Sequence, residues 1–291
     1  MYEVAIEILC MLENNFYSAY IIGGYPRDKY LGIFSTDVDI CTNARPMEVI
    51  KIFSNSDISN IKYGCVIVNF KGYKFSVTTF RREYEYLCNR SLIHFDYVDT
   101  LSEDLIRRDF IMNTLAIDKD GNYVDLYGAK KDINSKIIRC VGDSFLKLNE
   151  DYLRILRAIR FATILNFKIS LDLDKAIYEN SYKVKNLSNF RKKVELDKIF
   201  KSKNVMHGIN LLKHYNLDKV LNLNLSHVKY CENYLGIWAQ VLINFDFPFT
   251  RAETKSINAI RFLLTKDNPL EYLDKYSLDM CLLASRIKEN N

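Results

Sequence analysis

The hydrophobic pattern of the chain changes once, near residues 140 to 150, and this change limits the architectures that the chain can adopt. Before it, short apolar runs alternate with glycine-containing turns, a pattern typical of strands mixed with short helices. After Asp151, apolar residues recur at i, i+3, i+4 and i+7 in segments such as LRILRAIRFATIL, which is the spacing of amphipathic helices. We therefore predict a mixed α/β module followed by a helical part.

Four elements of the first module can be predicted from local patterns. They are a helix over Val4 to Leu12, a strand over Ala19 to Ile22 ending in a glycine turn, a strand over Asp37 to Thr42, and a hairpin of Cys65 to Phe70 with Tyr73 to Phe80 around Lys71-Gly72. Glycine pairs and Lys-Gly dipeptides between apolar runs favour tight turns.

Composition limits the function less than the pattern does. The formal net charge is +5, and the basic stretch RKKVELDKIFKSK suits a polyanionic partner without requiring one.

The seven cysteines are scattered, with no CxxC pair, so we expect reduced thiols in a cytoplasmic protein. The sequence has no apolar run of about 18 residues and begins MYEVAIEILCMLENN, so we expect neither a membrane span nor secretion. No protein partner is evident.

The segment IIGGYPRDKYLGIFSTDVDICT carries the most informative chemistry. Asp37 and Asp39 lie two apart in a predicted strand, and residues i and i+2 of a strand point to one face. Two converging carboxylates suit Mg²⁺, which prefers hard oxygen ligands and can clamp an in-line phosphoryl transfer. Gly23 and Gly24 would let backbone N–H groups approach a triphosphate, with Arg27 as a positive contact.

GGxxRD followed after eight residues by DxD resembles the motif of class II tRNA nucleotidyltransferases (CCA-adding enzymes) and bacterial poly(A) polymerases. Arg107, Arg108 and Asp109 in LIRRDFIMNTLAID are similar to the RRDF motif of that family. In the family this motif contacts the ribose and phosphates of the incoming nucleotide. Alone, DxD, Gly-Gly and Arg-Arg-Asp also fit surface acids, a turn and an ion-pair cluster.

Glu150, Asp151 and Arg154 match the EDxxR motif of the family. If a helix begins here, Asp151 and Arg154 share one face, and Glu150 braces Arg154 as an i,i+4 pair. A carboxylate accepts a hydrogen bond from the exocyclic amino group of cytosine or adenine, while arginine donates to neighbouring ring acceptors. Uracil and guanine carry a carbonyl there, so one Asp–Arg pair can select C and A without a template. The alternative is a helix start with acids that favour its dipole.

Further residues follow the family pattern. Arg81, Glu83, Tyr86 and Arg90 resemble its RxExxYxxxR loop, which is implicated in the change from C to A addition and has full length here. Two more arginines of the helical part, Arg157 and Arg160, also match.

Two features depart from the family pattern. Ser76 stands where many relatives carry a third acid, and a serine supplies no charge. Arg191 and Glu195 resemble the ERxxxE motif, but Phe190 replaces its first Glu.

The resemblance covers about residues 20 to 200 and implies an α+β fold. This is a polymerase-β-like nucleotidyltransferase head with a small mixed sheet, followed by an all-helical neck and body. We place the head at residues 1–140, the neck, which recognises the base, at 141–205, and an RNA-binding body at 206–291. The implied activity is Mg²⁺-dependent addition of CCA to the tRNA 3′ end from CTP and ATP. A poly(A) polymerase and a non-catalytic RNA-binding relative are the alternatives, whereas the missing GxGxxG spacing disfavours a dehydrogenase.

Overall fold

The computed structural model describes residues 1–86 and 93–289, with Tyr84 to Tyr86 and Ile93 described by their backbone alone. The chain divides into two compact units, Met1–Glu150 and Asp151–Asn291. Unit 1 is mixed α/β and unit 2 is helical apart from one two-residue strand, so the predicted fold class is confirmed. The boundaries placed at residues 140 and 205 stay predictions.

Unit 1 contains six helices and ten strands among its described residues. In chain order they are α1 (Tyr2–Asn14), β1 (Ala19–Ile22), α2 (Gly24–Tyr30), β2 (Asp39–Thr42), α3 (Pro46–Ile52), β3 (Ser56–Asp57), β4 (Cys65–Phe70), β5 (Tyr73–Thr79), β6 (Arg81–Tyr86), β7 (Ile93–Tyr97), α4 (Leu101–Ile106), β8 (Ala116–Ile117), β9 (Tyr123–Val124), α5 (Ala129–Asn134), β10 (Ile137–Ile138) and α6 (Ser144–Glu150), with 3₁₀ turns at Ile61–Tyr63 and Ile111–Asn113.

Seven strands of unit 1 form one mixed sheet in the order β3-β4-β5-β2-β1-β8-β9. Only β2 and β5 are parallel, and the other neighbouring pairs are antiparallel. The apolar side of α1 packs on this sheet through Ile8, Leu9 and Leu12, which are fully buried. Alternate strand residues such as Phe75 and Val77 point into the same core, as the period of two in a strand requires.

The predicted hairpin is present between β4 and β5, with Phe70 opposite Tyr73. Its two loop residues both have positive φ, 48° at Lys71 and 81° at Gly72. That combination defines the type I′ turn, whose twist matches that of the flanking strands. β6 and β7 form a separate antiparallel pair, with Arg81 opposite Tyr97.

Unit 2 contains eight helices and one short strand among its described residues. They are α7 (Leu153–Leu165), β11 (Lys168–Ile169), α8 (Leu171–Asn180), α9 (Asn189–Phe200), α10 (Val205–His214), α11 (Leu217–Leu221), α12 (Tyr234–Val241), α13 (Arg251–Leu264) and α14 (Leu278–Glu289), with 3₁₀ turns at Ser181–Asn186 and Pro269–Tyr272.

A partly buried ionic cluster joins α9 to α12 and α13. The ammonium group of Lys193 lies 2.7 Å from the Asp197 carboxylate and 3.0 Å from that of Glu253. The indole of Trp238 donates to Asp197 at 2.7 Å, and the Tyr234 hydroxyl donates to Glu253 at 3.1 Å. Every charge in the cluster therefore has an opposite partner, which buried charges need.

Within residues 1–86 and 93–289, none of the helices has the length and apolar character needed to span a membrane. Cys88 lies outside the described residues, and the other six cysteines are free thiols. The cytoplasmic location stays a prediction.

Glu253 gives a test of the cluster on α9. Burial alone would raise the pKa of Glu253, but the Thr250 backbone N–H and Lys193 lower it to about 2. A glutamate whose pKa is depressed in the folded state stabilises the fold at pH values above its ordinary pKa of about 4.3. This stabilisation is lost as the pH falls towards 2. We expect Glu253→Gln to reduce the free energy of unfolding at pH 7 by roughly 1–3 kcal/mol, and to have much less effect near pH 2.

Urea unfolding of both proteins at pH 7, 4 and 2.5 measures this difference. Glu232→Gln, at an exposed glutamate of the same unit, is the control and should leave the stability unchanged at each pH. A Glu253→Gln effect of equal size at all three values would contradict the ionic role.

Candidate active site

The central feature of unit 1 is the first residue of β2. Asp39 is opposite Ile22 of β1 on one side and opposite Ser76 of β5 on the other. Burial raises the pKa of the Asp39 carboxyl and Ser76 lowers it, and the Ser76 hydroxyl lies 3.2 Å from the Cys65 sulfur. The position of the missing third acid is thus directly beside Asp39, and it is occupied by a neutral hydroxyl.

The glycine turn after β1 lies against the same carboxylate. Gly23 has φ 88° and ψ −132°, a conformation that side chains disfavour and glycine adopts readily. A Cβ at Gly23 would lie 3.4 Å from Oδ2 of Asp39. Gly24 then begins α2, so the predicted order of strand, glycine turn and helix is present.

Asp37 does not lie in the strand that was expected to contain it. β2 begins at Asp39, because β1 ends at Ile22 and the chain turns at Gly23, which leaves β1 no residue to pair with Asp37. The alternation argument for placing both carboxylates on one face is therefore wrong. The two are nevertheless close enough to interact: burial raises the pKa of Asp39, Asp37 raises it further, and Arg108 and Ser76 partly offset the rise.

This donor set fits a hard divalent cation. Asp37 and Asp39 repel each other electrostatically, and a cation between two carboxylates relieves such repulsion. Among the residues that the structure describes, no group of three or more His, Cys, Asp or Glu side chains is arranged to hold a metal. Mg²⁺ is commonly held by one or two carboxylates together with water and substrate phosphates, so two aspartates suit an ion that binds with its substrate.

A cavity of about 350 Å³ opens beside Asp39. Its walls combine the strand ends with basic side chains, and they consist of Ile22, Asp39, Ile40, Cys41, Asn60, Tyr63, Cys65, Ser76, Thr78, Arg81, Arg107 and Arg108. Three arginines facing one acidic edge make the cavity suitable for an anionic ligand such as a triphosphate.

Arg107 and Arg108 share the buried carboxylate of Asp104. Nε of Arg107 donates to Asp104 at 2.8 Å, and Nη2 of Arg108 donates to it at 3.0 Å. Among the described residues, Nε of Arg108 is buried without a hydrogen-bond partner. An unsatisfied guanidinium N–H is costly in a protein interior, and a phosphate oxygen in the cavity would satisfy it.

Arg27 and Asp109 are connected through Asn113. The amide oxygen of Asn113 accepts from Arg27 at 2.6 Å, and its amide nitrogen donates to Asp109 at 3.1 Å. Arg27 also donates to Asp28 at 2.7 Å. Both Arg27 and Asp109 are buried, so the contacts shown are within the protein, and their roles toward a nucleotide stay predictions.

The residues that resemble the RxExxYxxxR loop of the family are only partly described. Arg81 and Glu83 of β6 form an ion pair at 2.8 Å, and Glu83 also lies 3.3 Å from Arg107. Glu83 is therefore occupied by two arginines, which argues against its use as a substitute third acid. The side chain of Tyr86 and the whole of Arg90 lie outside the described residues.

The EDxxR residues span a helix break. α6 ends at Glu150 and α7 begins at Leu153, so the single helix assumed for these residues is wrong. Just before α7, the Asp151 carboxylate accepts a hydrogen bond from the Leu153 backbone N–H at 3.1 Å. Glu150 pairs with Lys147 at 3.0 Å, and bracing of Arg154 by Glu150 stays a prediction.

Two side chains of helix α9 contact predicted nucleotide-binding residues of unit 2. Arg191 donates to both oxygens of Asp151 at 2.9 Å. Glu195, one turn further, pairs with Arg160 at 2.8 Å, and both side chains are buried. The two residues retained from the ERxxxE motif therefore orient Asp151, just before α7, and Arg160 of α7, despite Phe190, which is exposed. Arg154 is buried and Arg157 is half-buried.

Sequence reasoning missed Asp104 and Asn113. Asp104 follows Leu101 by three residues and precedes Leu105, and both leucines are buried. Helical periodicity could have placed this acid on the buried face, where it needs a cationic partner. Asn113 carries no comparable local signal, because its bonding depends on the distant Arg27.

Comparison with known proteins agrees with the geometry. The Poly A polymerase head domain matches residues 19–139, and the probable RNA and SrmB-binding site of polymerase A matches residues 166–227. The CCA-adding enzyme of Bacillus licheniformis is 38% identical over 68% of this chain and 50% of its own length. That of Streptococcus mutans is 32% identical over 94% of this chain and 67% of its own length.

A solved structure of the Bacillus stearothermophilus CCA-adding enzyme in complex with CTP is 28% identical, with a TM-score of 0.81 over 99% of this chain and 77% of that chain. Residues 19–139 of unit 1 therefore correspond to a Poly A polymerase head domain. The chain belongs to the family of CCA-adding enzymes and bacterial poly(A) polymerases, which confirms the motif resemblance. Enzymes of this family generally depend on a divalent metal. The chain spans half the length of the first of these relatives.

Asn113 gives a test of the bridge between Arg27 and Asp109. Asn113→Ala removes two buried hydrogen bonds to charged groups, so we expect a loss of about 2–4 kcal/mol of unfolding free energy. Asn134→Ala is the matched control, since it removes a single exposed hydrogen bond to Tyr30. Urea denaturation measures both, and equal stability of the two variants would contradict the bridging role.

Proposed function

We propose that this protein adds CCA to the 3′ end of tRNA, using CTP and ATP and releasing pyrophosphate. The observation that carries the proposal is the cavity in which Asp39 faces Arg107 and Arg108. An acidic edge opposite a pair of arginines suits a metal-bound triphosphate. The similarity to enzymes whose name is CCA-adding enzyme supports the particular substrates.

Asp37 and Asp39 are the residues that would hold Mg²⁺. When bound, this ion polarises phosphoryl oxygens and helps a hydroxyl act as nucleophile. The carboxylates orient the ion and compensate its charge, and Ser76 lies opposite Asp39 in the β2–β5 pairing. We infer that two carboxylates suffice for this chain.

Arg107 and Arg108 neutralise the triphosphate in this proposal. Guanidinium groups match phosphate geometry and remain charged throughout the physiological pH range. Because buried Asp104 holds both, they are oriented before the nucleotide arrives. Pre-orientation lowers the entropic cost of reaching the reactive arrangement.

Asp151 and Arg154 select the base. Asp151 accepts from the exocyclic amino group shared by cytosine and adenine, and Arg154 donates to the ring. Arg191 holds Asp151 in one orientation, because it donates to both carboxylate oxygens. Arg157 and Arg160 remain proposed nucleotide contacts, with Arg160 held by Glu195.

The proposal is tested with purified protein, Mg²⁺, and tRNA transcripts that lack CCA, end in C or end in CC. Each nucleoside triphosphate is offered singly and then together. Ordered addition that stops at CCA supports the proposal. A ladder of A residues from ATP alone indicates a poly(A) polymerase instead, and binding of tRNA without transfer indicates a non-catalytic RNA-binding protein.

Asp37→Ala and Asp39→Ala should each reduce transfer to background while tRNA binding persists, because the metal site is lost but the basic surfaces remain. Incorporation of labelled CTP and a filter-binding assay measure the two properties. Asp120→Ala removes an exposed acid of the same unit and should retain activity. Near-normal transfer in either site variant would refute the metal-binding role.

Asp151→Ala and Arg154→Ala should relax the preference for C and A more than they weaken binding of the triphosphate, because the base contact is lost while the phosphate contacts remain. Competition of UTP and GTP against CTP measures the preference. Arg191→Gln leaves both selecting residues in place and should have a smaller effect of the same kind. Unchanged discrimination in the first two variants would exclude them as the selecting pair.

A further inference from the structure

A closed ring of charges around the buried Asp104 connects α4, the arginine pair and the start of β6. Asp104 has no exposed surface and binds both Arg107 and Arg108. Its Oδ1 atom also accepts a hydrogen bond from the Arg81 backbone N–H at 3.2 Å. The Asp104 carboxylate is therefore fixed by three donors, of which two are guanidinium groups that line the cavity.

Glu83 closes the ring on its other side. Its Oε1 atom accepts from Arg81 at 2.8 Å and from Arg107 at 3.3 Å. Arg107 thus lies between two carboxylates, one on α4 and one on β6. Because β6 is the first strand of the β6–β7 hairpin, the guanidinium of Arg107 is bonded to that hairpin as well as to Asp104 of α4.

Removing the charges of the ring from water costs free energy, and a contribution to stability does not account for that cost. Burial would raise the pKa of Asp104, yet Arg107 and Arg108 keep it below its ordinary value, so the carboxylate stays charged. Buried ion pairs often contribute no more stability than apolar side chains of the same size. The ring carries three arginines and two carboxylates, so it keeps a net charge of +1 beside the cavity that Asp39 also lines.

We propose, on the basis of the nucleotidyl transfer proposed above, that Asp104 is the positioning residue that sets the orientation of both triphosphate-binding arginines. Glu83 links Arg107 to the β6–β7 hairpin through the same ring. Asp104 does not contact the nucleotide and acts through Arg107 and Arg108. Removing its charge leaves both positive charges to attract the triphosphate but frees the guanidinium groups to rotate.

Asp104→Asn tests this role. We expect kcat for CTP incorporation to fall by about 10-fold to 100-fold, the cost of misplacing a catalytic contact by up to an ångström. The dissociation constant for CTP should change much less, because the positive charge is retained. Steady-state kinetics and equilibrium binding of CTP measure the two quantities, and circular dichroism checks that the variant is folded.

Glu103→Gln is the matched control. Glu103 pairs with Arg82 at 2.6 Å and so joins the same helix to the same strand, but on the exposed side. A merely structural role for acids of α4 predicts similar kinetics in both variants, whereas the positioning role predicts a large loss of kcat in Asp104→Asn alone.

Asp104→Glu keeps the charge and moves the carboxylate by one methylene group, so it serves if the asparagine variant does not fold. It should also lower kcat more than it weakens CTP binding. Wild-type kcat in either folded variant, or equal losses in kcat and CTP affinity, would overturn the proposal. Absence of transfer by the unaltered protein would refute the proposed function itself, whereas transfer by the unaltered protein with unchanged kcat in the variants would refute the positioning role alone.

Discussion

The pairing of β2 with both of its neighbours is the constraint on which the site in unit 1 depends. Asp39 stands at the first paired position, with Ile22 on one side and Ser76 on the other. Antiparallel pairing ends where Gly23 turns the chain, so the turn comes to lie against the carboxylate. A shift of one residue in this register would direct Asp39 to the opposite face of the sheet. The sheet core therefore positions the chemistry directly.

Oppositely charged partners then orient the remaining groups in each unit. In unit 1 a buried aspartate holds Arg107 and Arg108, and in unit 2 Arg191 of α9 holds Asp151. Lys193, on the same helix as Arg191, joins α9 to the helices that follow. Such pairs cost desolvation energy, and what they provide is a fixed orientation. A rigid arrangement matters most where a ligand has to be held in one geometry.

Much of the fold and of the candidate site could be predicted from local pattern. The glycine turn, the β4–β5 hairpin and the helical second unit follow from short-range periodicity and turn residues, and all are present. Local reasoning failed at two element boundaries. It extended β2 back to Asp37 and began α7 at Asp151, because an isolated sequence does not reveal where a pairing partner ends or at which residue a helix begins.

The sequence by itself determined which chemical groups are available: two aspartates beside a glycine turn, an Arg-Arg-Asp segment and an EDxxR segment, in the order found in one enzyme family. Only the tertiary structure decided how those groups are held. The bonds from Arg27 to Asn113 and from Glu83 to Arg107 join residues separated by 86 and 24 positions. Periodicity encodes neighbours within a few residues, whereas these partners meet only because the strands and helices between them pack in one arrangement.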